Sequence, residues 1–285
     1  MFPESLHISI AAPVNAFVQG LVVNYGGVFK AISNAILQGV LFFEWILRGL
    51  PWWVILAVFM GLAWQSSHRI GLTLMVGLLL MLGGMLGLWD LTMQTLALML
   101  MATVVSIVIG IPVGISVAKS RLMRSVVLPV LDVMQTMPSF VYLIPALMLF
   151  GLGKVPAILA TIVYAVPPLI RLTDLGIRQV DKEVVEAATA FGGSRSQILF
   201  GVELPLAVPT IMAGLNQTIM MALSMVVVAS MIGARGLGEQ VLNGIQALNV
   251  GKGLEAGIGI VILAIVLDRI TQGFGRSKRE EAEHG

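Results

Sequence analysis

Apolar residues run in blocks of about twenty along most of this chain, and the polar residues gather in the gaps between them. A membrane-crossing helix needs roughly 17 to 25 such residues. Seven blocks are candidates: the first opens with Pro51–Trp64, and the others run at about Ile70–Leu88, Leu91–Ala118, Val126–Phe150, Val155–Ile177, Leu206–Ile232 and Leu254–Gln272. Pro51 suits a first helical turn, and Trp52, Trp53 and Trp64 suit the lipid–water interface. Prolines interrupt the fourth block (Pro129, Pro138, Pro145) and the fifth (Pro167, Pro168). Residues 12–47 differ, because Asn15, Gln19, Asn24, Lys30, Asn34, Gln38 and Glu44 are scattered through them. That mixture predicts amphipathic helices lying at the interface, with an extra tilted or re-entrant span as the open alternative. The expected fold is all-α, a polytopic membrane protein of about seven transmembrane helices with N-terminal amphipathic helices.

One polar insert breaks the pattern, at 178–205. Asp181 is a good N-cap, and Lys182–Phe191 holds strong helix formers with Glu183 and Glu186 toward the positive end of the helix dipole. Gly192-Gly193 stops that helix. Ser194 and Gln197 have the spacing of a capping box that starts another, and Leu204-Pro205 leads back into an apolar run. Val184, Ala187, Ala188 and Phe191 recur at three and four residues, predicting an apolar stripe. Such a stripe, with small alanines and one aromatic anchor, suits docking of a partner. A plain connector would be far shorter, about 2 to 8 residues.

Composition excludes a soluble protein. Of 285 residues, 58% are hydrophobic and 11% charged, with a mean hydropathy of +0.97, whereas soluble domains carry roughly 25% charged residues. The absence of Cys removes disulfides and thiolate metal sites. The first basic residue is Lys30, so a cleavable signal peptide is not expected. Charge placement sets orientation. With the insert inside the cell, twelve of the 17 Lys and Arg residues fall inside, among them Lys119, Arg121, Arg124, Arg171, Arg178, Lys182 and Arg195. The five outside are Lys30, Arg48, Lys154, Arg235 and Lys252. Positive residues collect on the cytoplasmic side, so this reading has the N-terminus outside and the C-terminus inside.

The insert, with its Glu186-Ala187-Ala188, Gly192 and Leu204-Pro205, resembles the cytoplasmic coupling loop of importer-type ABC transporter permeases. The resemblance extends over roughly 50–275. Gln135–Pro145, Pro167–Thr173, Leu175–Val180, Asn216–Met225 and Ala229–Gly238 are similar to stretches of the glycine betaine, proline betaine and choline branch. It implies a type I importer permease core at 50–275, after an N-terminal segment (1–49) and before a charged cytoplasmic tail (276–285). It implies ATPase coupling through Asp181, Val184, Glu186, Ala187, Ala188, Phe191, Gly192, Leu204 and Pro205. The implied partners are a second copy of the chain, two cytosolic ATP-binding subunits, an extracytoplasmic binding protein and the bilayer, with no nucleic acid. The implied localisation is the cell inner membrane. No binding domain follows the seventh block, so solute capture is expected of a separate protein. The Gly-Lys pairs at Gly153-Lys154 and Gly251-Lys252 are not followed by Ser or Thr, so no phosphate-binding loop is present. ATP and Mg are therefore expected on the partner subunits, with no cofactor on this chain and no catalytic role.

Polar residues within spans are functional candidates by default. A translocation path is expected along Met137, Phe140, Asn216, Gln217, Met221 and Met225, with core packing as the alternative for the methionines and interhelical bonding for Asn216 and Gln217. Arg171 and Asp174, three residues apart, are read as a structural pair on one helix face. His7, His68 and His284 are too dispersed for a metal or catalytic cluster. Other function classes remain: a permease for another small polar solute such as an amino acid, or an ion-coupled secondary transporter. The latter lacks an internal repeat and midplane charges. An intramembrane enzyme lacks a nucleophile–base constellation.

Overall fold

The computed structural model describes residues 11–284, with side chains through Gly275. All described regular structure is helical. In chain order the helices are α1 (Ala11–Gly49), α2 (Trp52–Ser67), α3 (Ile70–Met85), α4 (Trp89–Lys119), α5 (Arg121–Thr136) and α6 (Ser139–Phe150). They continue as α7 (Lys154–Arg178), α8 (Lys182–Ala190), α9 (Arg195–Ile198), α10 (Leu204–Ala229), α11 (Leu237–Gln246) and α12 (Val250–His284). Five stretches are long and apolar enough to cross a membrane: α1, α4, α7, the run from α9 through α10, and α12. The α5–α6 pair makes a sixth when counted as one bent span. Helices α2 and α3 are equally apolar, but at 16 residues each they reach only about 24 Å.

The centre is built on α7, which packs against α4 on one side and α10 on the other. Lipid tails give helices no hydrophobic incentive to associate, so close approach at small residues supplies the attraction. Gly114 shows how close: a Cβ there would lie 2.5 Å from Thr173 Cβ and 2.9 Å from the Ile170 carbonyl oxygen. Pro167 and Pro168 lie buried inside α7, where neighbouring helices make such prolines tolerable. Helix α12 packs on α10, α11 and α2, while α1 lies along α4 and α6.

The structure adds three details. Residues Ala11–Gly49 are helical on both sides of a break at Tyr25, where two helices meet at a kink, and together they are long and apolar enough to be a candidate span. Burial in α1 is confined to Ile36, Val40 and Glu44. The fourth block is two helices set at 101°. Pro138 cannot continue α5 and caps α6 instead, and the Tyr142 hydroxyl donates back across the bend to the Met134 carbonyl. Third, α11 stands between the sixth and seventh blocks, where the sequence pattern offered no apolar run. Residues 1–10 (with His7), the side chain of His284 and the side chains of the charged tail at 276–285 lie outside the described residues.

Candidate coupling site and the polar residues of the spans

The insert folds as the caps dictate. The Asp181 carboxylate accepts from the Glu183 backbone N–H at 2.9 Å, opening α8. The helix closes at Gly192, whose φ of 82° is left-handed. There the Gly192 and Gly193 N–H groups donate to the carbonyls of Thr189 (2.9 Å) and Ala188 (3.1 Å). The capping box is complete: the Ser194 N–H donates to Gln197 Oε1, and the Gln197 N–H donates to Ser194 Oγ. A π-helical turn, Leu199–Glu203, then joins α9 to α10, with Pro205 in the first turn of α10.

None of the residues of α8 is buried. The expected stripe divides in two: Val184, Ala187 and Phe191 face outward, while Val185 and Ala188 turn toward the body. Phe191 is 93% exposed, and Phe200 on the π turn is exposed too. Two large aromatics are thus exposed on this polar loop. Beneath α8 lies a groove of about 270 Å³, with Lys119, Ile177, Val185, Glu186 and Glu203 among its walls. Leu204 is half-buried at the head of α10.

The path candidates separate. Met225 is 1% exposed and lies in the main core cluster. It fills packing space there, the alternative that the sequence reading held open for the methionines. Asn216 is engaged on both sides of its amide: Nδ2 donates to Asp268 Oδ1 (3.1 Å), and Oδ1 accepts from the Thr271 hydroxyl. Gln272 Nε2 also donates to Asp268 (2.7 Å), so this polar group ties α10 to α12. Gln217 and Phe140 are exposed, and Met137 and Met221 half-buried.

Arg171 and Asp174 do not pair with each other. Arg171 bridges Asp132 on α5, and Asp174 faces Arg124 on α5 at 3.6 Å. Each member of the expected pair has a partner of opposite charge on the neighbouring helix, so the local i,i+3 contact loses. Three further ion pairs were not read from sequence, one of them Lys119 with Glu203. Lys154 Nζ reaches both oxygens of the buried Glu44 carboxylate (2.6 and 2.7 Å), and Arg48 holds Asp90 (2.6 Å).

Residues 106–280 match the family described as "Binding-protein-dependent transport system inner membrane component". The chain is 46% identical over 276 residues to the glycine betaine transport system permease protein OpuAB of Bacillus subtilis, covering 95% of this chain and 96% of that protein. It is 49% identical over 266 residues to the glycine betaine/proline betaine transport system permease protein ProW of Escherichia coli, covering 92% and 74%. To the glycine betaine/carnitine transport permease protein GbuB of Listeria monocytogenes it is 47% identical, covering 98% and 100%. Among solved structures, a chain of the inward-facing MetNI methionine ABC transporter superposes with a TM-score of 0.60 at 22% identity, covering 65% of this chain and 93% of that one.

Proposed function

This chain belongs to the family of binding-protein-dependent transport system inner membrane components, and on that premise we propose that it forms the passage of an ATP-driven importer for quaternary-ammonium compatible solutes. It is a multi-pass inner-membrane transport subunit and not itself an enzyme. ATPase and solute-binding partners go with that family; two copies of the chain and two ATPases per complex are our reading.

In this reading α8 is the coupling helix. The observation that carries it is a capped, wholly unburied helix between α7 and α10, ending in the 93% exposed Phe191. Asp181 and Gly192 shape its ends, and Val184, Glu186, Ala187 and Phe191 meet the ATPase. Ala188, Leu204 and Pro205 fix how it joins the spans. Closure of the ATPase dimer on ATP and Mg would draw two such helices together and reorient the spans. Glycine betaine, proline betaine, carnitine or choline is the proposed cargo, supported by the solutes named for relatives that are similar over most of the chain. The likeness to a methionine transporter concerns the fold alone, so it gives the amino-acid alternative no support. Phe140, Gln217, Met137 and Met221 remain the proposed path residues.

The test is uptake of radiolabelled glycine betaine into proteoliposomes holding the chain, its ATPase and its binding protein. Uptake should require ATP, persist after an ionophore collapses ion gradients, and be competed by proline betaine or choline. Uptake that follows an ion gradient without ATP would overturn the importer reading, and competition by amino acids alone would overturn the cargo.

A further inference from the structure

The groove under α8 is closed at its base by one ion pair. Glu203 is 7% exposed and is the last residue of the π-helical turn at the joint between α9 and α10. Its carboxylate accepts from Lys119 Nζ, and Lys119 is the last residue of α4. Among the described residues no other side chain bonds that carboxylate. Helix α8 packs on the π turn and on α9, and Val185 and Glu186 look across the groove at Ala118 and Lys119. A motion imposed on α8 therefore meets the π turn first, and the ion pair links that turn to the end of α4.

We propose that Lys119 and Glu203 form the strut that passes displacement of α8 into α4 and α10 together; this rests on the reading of α8 as the coupling helix. Two physical features suit the joint to the task. A π turn carries one residue more than the α-helix around it, and such turns are frequent at functional sites. Returning it to α-helical register would turn the segment before it by about 100° relative to α10, rotating α9 and α8 with little rearrangement of the span. A buried carboxylate, in turn, strongly resists separation from its only cation. The Glu203 end of the joint thus stays with α4 while the α8 end swings. Lys119 and Glu203 are positioning residues, since neither needs to touch solute or nucleotide.

The experiment uses the full transporter in proteoliposomes with Glu203→Gln, Lys119→Met and the exchanged pair Lys119→Glu/Glu203→Lys. Three quantities are read: ATPase retained on purification, ATP hydrolysed, and glycine betaine imported per ATP. Both single variants should retain the ATPase and still hydrolyse ATP, while solute per ATP falls roughly five-fold or more. The exchanged pair, which restores a cation facing an anion, should recover much of the loss. Purely structural damage would lower retention and hydrolysis together and would not be repaired by the exchange, and that result overturns the strut. So does wild-type solute per ATP in both single variants. A wild-type chain that fails to retain the ATPase would instead sink the coupling reading of α8, and the strut with it.

Discussion

Glu44 and Lys154 show how a single side-chain pair holds an otherwise loosely attached helix. Glu44 is the one charged residue α1 buries, and both its oxygens face the Lys154 ammonium. Removing one member of a buried pair strands the other, so Lys154→Ala should destabilise the protein by about 3–5 kcal/mol. Glu44→Leu combined with Lys154→Met should recover most of that; thermal melts in detergent of the two variants decide it, and a double variant no better than the single would contradict the assignment. Gly192 raises a different kind of constraint. A Cβ there would meet nothing within 4 Å, so the φ of 82° is the only obstacle to a side chain. That costs roughly 1–2 kcal/mol, enough to rearrange an exposed loop but not a membrane bundle. Gly192→Val should therefore insert normally and lose ATP-driven uptake; uptake at the wild-type rate would count against the bend's role. At this scale the caps were legible, because Asp181, Gly192, Ser194 and Gln197 act on their own neighbours. The ion pairs were not. Arg171 and Asp174 sit at a pairing distance in sequence, and only the fold brings Asp132 and Arg124 within reach of them.

Among the elements, α8 is the one whose outward face matters more than its inward one. Phe191 is stranded in solvent, while Glu186 lies beside the groove with Lys119 and Lys182. Aromatic anchors buried by a partner cost at least about 2 kcal/mol on truncation, whereas exposed ion pairs contribute roughly 0–1 kcal/mol. Phe191→Ala should thus weaken ATPase co-purification clearly more than Glu186→Lys does. The reverse order would place the contact on the acidic side of α8. Periodicity identified this helix and its apolar stripe, but it could not divide the stripe between partner and body. The π turn, by contrast, has no spacing of its own, since Leu199–Glu203 reads as continuous helix. Helix α11 escaped notice for a related reason: ten residues with Glu239, Gln240 and Asn243 among them make no apolar block.

For the whole molecule, α1 decides the topology. Its C-terminal end is fixed by Arg48–Asp90 and Glu44–Lys154, all at one end of the bundle. Lys30 lies eighteen residues before Arg48 on the same helix, about 27 Å away along its axis, close to the bilayer's hydrocarbon thickness of about 30 Å. Taken as a span, α1 would carry Lys30 to the inner side, which would strengthen the positive-inside bias and put the N-terminus inside, against the outside placement of the sequence reading. Ala12→Cys should accordingly react with an impermeant maleimide in inverted vesicles and not in intact cells; labelling of intact cells would restore the interfacial reading. The blocks that became α4, α7, α10 and α12 were legible as spans because bilayer thickness sets their length. Their bends and tilts were not, since packing partners set those.

The chain has no Cys of its own, so one introduced thiol reports from one place. Phe191→Cys, in the transporter assembled with its ATPase bearing a surface cysteine on the facing side, tests the central claim that α8 is where this chain meets its motor. Bismaleimide crosslinking in inverted vesicles should yield a permease–ATPase adduct whose yield changes when ATP is bound. No adduct at any nucleotide state, or an impermeant maleimide reaching the introduced thiol from outside intact cells, would contradict it.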